Sequence, residues 1–176
     1  MTFAVQPARP EDASVIAAVH TESWAETYPG LIPHEFLSRM TDEAARERRR
    51  ATWAQTIGLS GQPVFVAEQA GEVVGLTSGG PPHDHPEVSA ELYTLYSLRR
   101  VQGQGMGRQL LLTLARELHA GGANSLALWV LDLNPAREWY VRQGARPAGE
   151  KTVAVPGGEL RERRMVWDDL GALVRD

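Results

Sequence analysis

The segment Gln102-Gly103-Gln104-Gly105-Met106-Gly107-Arg108 constrains this chain more than any other. An apolar run, Leu92 to Leu98, enters it, and a leucine-rich stretch, Leu110 to Leu118, leaves it with helical spacing. A strand must therefore turn into a helix across closely spaced glycines. Glycine lacks the Cβ that keeps a ligand away from the main chain. The N–H groups in the first turn of the following helix have no intrahelical partner, and the macrodipole there favours negative charge. The turn reads as a seat for a phosphate or pyrophosphate.

The spacing sorts the phosphate ligands. A P-loop needs Lys followed by Ser or Thr directly after its glycines, and Arg108 stands there instead. A dinucleotide fingerprint needs a third glycine where this chain again has Arg108. A plain connecting turn needs only one glycine. The pattern that remains is Gln/Arg-x-x-Gly-x-Gly/Ala, met by Gln102, Gly105 and Gly107. It resembles the acetyl-coenzyme A loop of the Gcn5-related N-acetyltransferase (GNAT) family. Further along, Asn134-Pro135-Ala136-Arg137-Glu138-Trp139-Tyr140-Val141-Arg142-Gln143-Gly144 resembles that family's second signature. There an Asn opens a helix, an aromatic-Tyr pair follows and a Gly ends it. Tyr140 follows Asn134 by six positions, where the commoner family spacing is seven. Ala8-Arg9-Pro10-Glu11-Asp12-Ala13 resembles the family's first strand-to-helix entry, so the likeness runs in order along nearly the whole chain.

Composition narrows the function classes. The 176 residues suit one domain with a substantial core, and the net charge of −4 argues against a nucleic-acid binder. The chain has no cysteine, which excludes disulfides, thiolate zinc sites and a Cys nucleophile. The amino terminus shows no signal-peptide pattern, and no apolar run is long enough to span a bilayer, so the expected location is the cytoplasm, with no membrane partner.

Periodicity predicts the elements. Phe3 to Gln6 reads as a first strand, Glu11 to Ser23 as a helix, and Tyr28-Pro29-Gly30 as its break. A second helix is expected over Thr41 to Ile57, opened by Thr41; its Arg46, Arg48, Arg49 and Arg50 read as a solvated face. A hairpin over Pro63–Gln69 and Glu72–Ser78, a loop from Gly79 to Pro86, and strands over Glu91–Leu98 and Leu126–Leu131 follow. Asn134 caps a helix with Pro135 in its first position, and two closing strands flank Pro156-Gly157-Gly158. The order β-α-α-β-β-β-α-β-α-β-β implies an α/β (α+β) single domain. One parallel pair, flanked by hairpins, gives a mixed, mostly antiparallel sheet with helices on both faces. The resemblance implies that the parallel central strands splay apart and hold the pantetheine arm of coenzyme A between them.

Chemistry follows from that likeness. Acetyl-coenzyme A is the expected co-substrate, with its pyrophosphate on the backbone of Gln102, Gly103, Gln104, Gly105, Met106, Gly107 and Arg108. Arg108 either adds a charge-assisted contact or is an exposed helix arginine, and Arg99 and Arg100 have the same two readings. Leu95, Tyr96 and Ser97 offer a strand edge to the pantetheine amides and a backbone donor to the developing oxyanion. Asn134 is carried over as a cofactor contact. Tyr140 is the expected acid for the departing thiolate, and Glu91 the expected base, acting through water. The expected reaction is transfer of the acetyl group to a primary amine by direct attack. A non-catalytic acyl-coenzyme A sensor, a longer acyl group and a hydroxyl acceptor are the alternatives.

Trp24 and Tyr28, four residues apart, read as an aromatic pair for a cationic amine, with Glu22 or Glu26 nearby, or as packing under the second helix. Small amines, amino acids, antibiotics and protein amino termini all remain open as acceptors. His83, Asp84 and His85 read as a solvated loop rather than a metal site. His20, His34 and His119 stand alone and take no role. Dimers are common in the family the chain resembles.

Overall fold

The computed structural model describes residues 2–175. At its centre lie β4 (Glu91–Ser97), α4 (Met106–Ala120) and β5 (Leu126–Leu131), the strand–turn–helix–strand unit expected around the glycines. The other strands are β1 (Phe3–Pro7), β2 (Val64–Gln69), β3 (Glu72–Gly80), β6 (Arg146–Val155) and β7 (Gly158–Trp167). All seven join one sheet in the order β1-β2-β3-β4-β5-β7-β6. Only β4 and β5 are parallel; every other neighbouring pair is antiparallel.

Alternation along β3 explains why the sheet is covered on both faces. Val74 and Leu76 are fully buried with Ile16, Ala17 and Val19 of α1 (Ala13–Thr27) and Trp53 of α3 (Glu43–Thr56). The residue between them, Gly75, turns to α4, where an added Cβ would lie 3.2 Å from Leu110. Leu111, Leu114 and Leu118 of α4 complete the second face with Leu128, Trp167 and Leu170. Truncating a fully buried leucine such as Leu114 to alanine costs roughly 2–5 kcal/mol.

Several local expectations shift. The first helix is preceded by a 3-10 turn, Pro10–Asp12, and α1 then runs on to Thr27. The stretch read as a connector holds α2 (His34–Thr41), which starts behind Pro33. Thr41 closes that helix by donating to Leu37 O at 2.8 Å, so it does not open the next one. Asp42 does, its Oδ1 accepting from Ala45 N at 2.7 Å. Gly79 and Gly80, read as the start of a loop, are the last residues of β3. A Cβ on Gly79 would lie 2.6 Å from Glu91 O, so glycine here serves a close strand approach and not a turn. Asn134-Pro135 precedes α5 (Ala136–Arg142), and the chain closes with a short α6 (Leu170–Arg175) absent from the sequence reading. Among the described residues no helix is long and apolar enough to cross a membrane.

Candidate active site

β4 and β5 share a single register pair, Glu91 with Ala127, and then part. Leu92–Ser97 of one strand and Leu128–Leu131 of the other become walls of a cleft of about 890 Å³. Along that wall the strand edges lack the ladder partner that a parallel neighbour supplies elsewhere. The glycine turn lies at one end of the cleft, and a group of phenols lines the other side.

At the glycine turn, Gly103 and Gly105 adopt φ of 77° and 85°, a left-handed backbone that side chains resist. Nothing stands within 4 Å of where their Cβ atoms would be, so the main chain is open to a ligand. Gln102 fastens the turn to the end of β4, its Nε2 donating to Ser97 O at 3.0 Å. Gly107 lets the indole of Trp139 approach the start of α4, 3.4 Å from a would-be Cβ. Leu95, Tyr96, Ser97, Gln102, Gly103, Gly105, Gly107, Arg108 and Asn134 all line the cleft. Gln104 and Met106 do not: Gln104 accepts from Gln69 Nε2 at 2.9 Å, and Met106 is buried in the core. Asn134 acts as a cap, its Oδ1 accepting from Ala136 N at 2.9 Å. Arg99 lines the cleft but is held by Glu26, whose Oε2 accepts from Arg99 N at 2.7 Å and whose carbonyl accepts from its guanidinium. Arg100 turns away to Glu72 at 2.9 Å.

Tyr140 is buried against Trp139 and Trp167 and lines the cleft; burial holds its phenol well above the usual range, so it stays protonated. Tyr28 and Tyr96 meet hydroxyl to hydroxyl at 3.2 Å, and burial raises both phenols as well. The Glu162 charge raises them further. Glu162, on β7, is a residue the sequence reading missed. Among the described residues two carboxylates line the cleft, Glu26 and Glu162. Glu26 is engaged by Arg99, whereas Glu162 has only Lys151 Nζ at 3.8 Å, and burial lifts its pKa. Nothing in the local sequence distinguishes Glu162 from its exposed neighbours; its role depends on which face β7 turns to the cleft.

The aromatic pair is present at the cleft. Trp24 and Tyr28 pack edge-on at 4.7 Å, and both line the cleft. The face of Trp24 is already covered by the guanidinium of Arg49, 5.3 Å from the ring centre. Glu22 is exposed. Arg49 is itself a correction: it is buried, unlike the exposed Arg46, Arg48 and Arg50 beside it, because α3 turns it into the packing with α1 and α2.

Glu91 stands apart from the cleft lining. Its Oε2 accepts from His83 N at 2.8 Å and lies 3.1 Å from His83 Nδ1. Its Oε1 is 3.5 Å from His85 Nε2. Nor is the 83–85 loop solvated throughout. The His85 side chain is fully buried on Trp129, and its Nδ1 accepts from Arg164 Nε at 3.1 Å, which leaves the ring proton on Nε2 facing Glu91. Asp84 pairs with Lys151 at 3.0 Å. His20, left without a role, is stacked on Tyr96 at 5.1 Å; burial and then Arg49 push its pKa down to about 3.

Comparison with known proteins agrees with this geometry. Residues 19–145 match the acetyltransferase (GNAT) family model. Over 171 residues the chain is 34% identical to the uncharacterized N-acetyltransferase YuaI of Bacillus subtilis strain 168, covering 96% of this chain and 95% of that one. The fold matches the ribosomal-protein-alanine N-acetyltransferase of Brucella melitensis with a TM-score of 0.73 at 27% identity, covering 93% and 98% of the two chains. It also matches the PaiA N-acetyltransferase of Thermoplasma acidophilum, solved in complex with coenzyme A, with a TM-score of 0.69 at 19% identity over 93% and 98%. The chain belongs to the GNAT family. It is an acyltransferase, an N-acetyltransferase built as one domain around a seven-stranded mixed sheet.

Proposed function

We propose that the protein transfers the acetyl group of acetyl-coenzyme A to a primary amine by direct attack. The observation that carries this reading is the parting of β4 and β5 after one register pair, with open glycine backbone at one end of the gap and Tyr140 on its wall. The bare turn fits a pyrophosphate, and the unpaired edge of Leu95–Ser97 fits a pantetheine arm that hydrogen-bonds as a peptide does. When bound, acetyl-coenzyme A supplies a thioester carbonyl open to attack and a thiolate leaving group. Backbone N–H groups from Gly103 to Arg108 hold the anion, and Arg108 adds charge. Backbone donors of Leu95–Ser97 face the carbonyl oxygen as it gains charge. Tyr140, kept protonated by burial, gives its proton to the sulfur.

An amine must lose a proton to attack, because lysine-like amines are mostly protonated near neutral pH. Glu162 is the assigned acceptor of that proton. It lines the cleft beside Tyr28 and is the lining carboxylate that Arg99 does not engage. Glu91, held by His83, is the second choice and would act through water. Holding both reactants in one cleft supplies much of the remaining acceleration.

A thiol-release assay with acetyl-coenzyme A against a broad amine panel, paired with calorimetric titration of coenzyme A, tests the reading. Binding of coenzyme A and release of thiol with at least one amine is the expected result. Failure to bind coenzyme A at millimolar concentration would overturn it.

A further inference from the structure

A second cavity, of about 380 Å³, opens beside the cleft, and Tyr93 and Thr94 of β4 line both. The charged side chains that line it are those of Arg48 and Arg49, and among the described residues no aspartate or glutamate does. His20 and His83 line it as well, His83 held against the Glu91 carboxylate. Neither arginine has a carboxylate within salt-bridge distance among the described residues. Of the nearby arginines outside the cavity, Arg39 pairs with Glu35 at 2.7 Å and Arg50 with Glu47 at 2.6 Å.

Arg49 makes the imbalance costly. It is 9% exposed, and its Nη1 donates to Thr21 Oγ1 at 2.9 Å and Met40 O at 2.5 Å. Its Nη2 is buried with no acceptor, as is His20 Nδ1 across the same cavity. His20 supplies no counter-charge, since a neutral imidazole is what burial beside Arg49 enforces. The hydroxyls of Thr52 and Thr56 donate to helix carbonyls at 2.9 Å and do not compete for an incoming anion. A buried cation without a counter-ion carries a desolvation penalty that neutral acceptors and an aromatic face offset only in part, and an arriving anion relieves the rest.

We infer that this cavity binds the carboxylate of the acceptor, so that the acceptor is an amino acid or an equivalent amine bearing an oxyanion. Its amine faces the cleft past Tyr93 and Thr94, and its carboxylate meets the guanidiniums of Arg48 and Arg49. Arg can engage a carboxylate through two parallel hydrogen bonds, which orients as well as attracts. The inference rests on the acetyltransferase reading and adds to it the class of acceptor.

The test compares the proteinogenic L-amino acids with their α-carboxamides in the thiol-release assay. Wild type is expected to show a KM for the carboxylates about tenfold or more below that for the amides, the scale of one charge-assisted hydrogen bond. Arg48→Gln, at an exposed position, and Arg49→Gln should raise the KM for carboxylates roughly 10–100-fold with kcat nearly unchanged, and Arg49→Lys should recover part of the loss. Quenching of tryptophan fluorescence by the non-aromatic members of the same panel, with Trp53 lining the cavity, reports binding without turnover. Saturable quenching by carboxylates that Arg48→Gln weakens supports the site even where no panel member is acetylated. Equal handling of carboxylates and amides by wild type, with coenzyme A still bound, overturns the inference and leaves the acetyltransferase reading standing. Loss of coenzyme A binding itself defeats that reading instead.

Discussion

At the glycine-turn end the lining comes largely from one local segment, Ser97 to Arg108, with its glycine main chain open. At the phenol end it is made of side chains from α1, α2, β4, β5, α5 and β7. The first end needs particular dihedral angles and bare amides, which glycine supplies locally. The second needs distant groups to meet: Tyr28 reaches Tyr96 across 68 positions. One end can therefore hold a constant ligand while the other is free to vary with the acceptor. Binding and chemistry should respond separately to mutation.

The sharpest separation is expected at Tyr140. Tyr140→Phe should lower turnover by about 10²–10⁴, the usual yield of a positioned acid, with little change in acetyl-coenzyme A affinity by calorimetry. Turnover unchanged across pH would remove this phenol from the chemistry. The two carboxylates offer the next largest contrast. Only the ionised form of Glu162 can take a proton, and burial lifts its pKa, so wild-type kcat/KM should fall on acidification through a limb displaced above the ordinary carboxylate range. Glu162→Gln should remove that limb and cost about 10²-fold, while Glu91→Gln keeps it. The reverse pattern returns the base to Glu91.

The opposite break falls at the turn. Gly105→Val places a branched side chain at φ 85° over the open amides. Affinity for coenzyme A should drop roughly 10–100-fold with the fold retained by circular dichroism, an amount equal to one or two strong hydrogen bonds. The last contrast is read in stability and concerns His20, stacked on Tyr96 at the phenol end. The folded-state pKa of His20 is depressed to about 3, so the unfolded chain binds the extra proton first. Stability is present in full above the unfolded value of about 6.5 and is lost as pH falls toward 3, by up to about 1.4 kcal/mol per pH unit. His20→Asn should flatten that slope in denaturant titrations. An unaltered slope would mean that His20 is not held neutral by its surroundings.

Much of the fold was legible because its signals are local. Three glycines between an apolar strand and a leucine-striped helix announced the turn, and alternation announced most strands. What escaped had either weak periodicity or a tertiary cause. α2 hides behind Pro33 with no buried residue of its own, and α6 is too short to show a stripe. Gly79-Gly80 looked like a loop because a glycine that admits a neighbouring backbone reads in sequence like one that turns. Arg49 sits in a run of arginines and is distinguished only by the direction in which α3 faces α1.

The amino-acid sequence by itself determined the strand, the glycine turn and the helix start, and with them an open main chain at the head of a helix, because backbone conformation and unsatisfied amides follow from residues a few places apart. Tertiary structure alone decided which carboxylates line the cleft, that Glu91 is held by His83 with His85 close by, and that one arginine of four is buried without a counter-ion. Those outcomes depend on desolvation and on partners brought from distant parts of the chain, and a side chain's charge is the same letter in the sequence whether it faces water or is shut away from it.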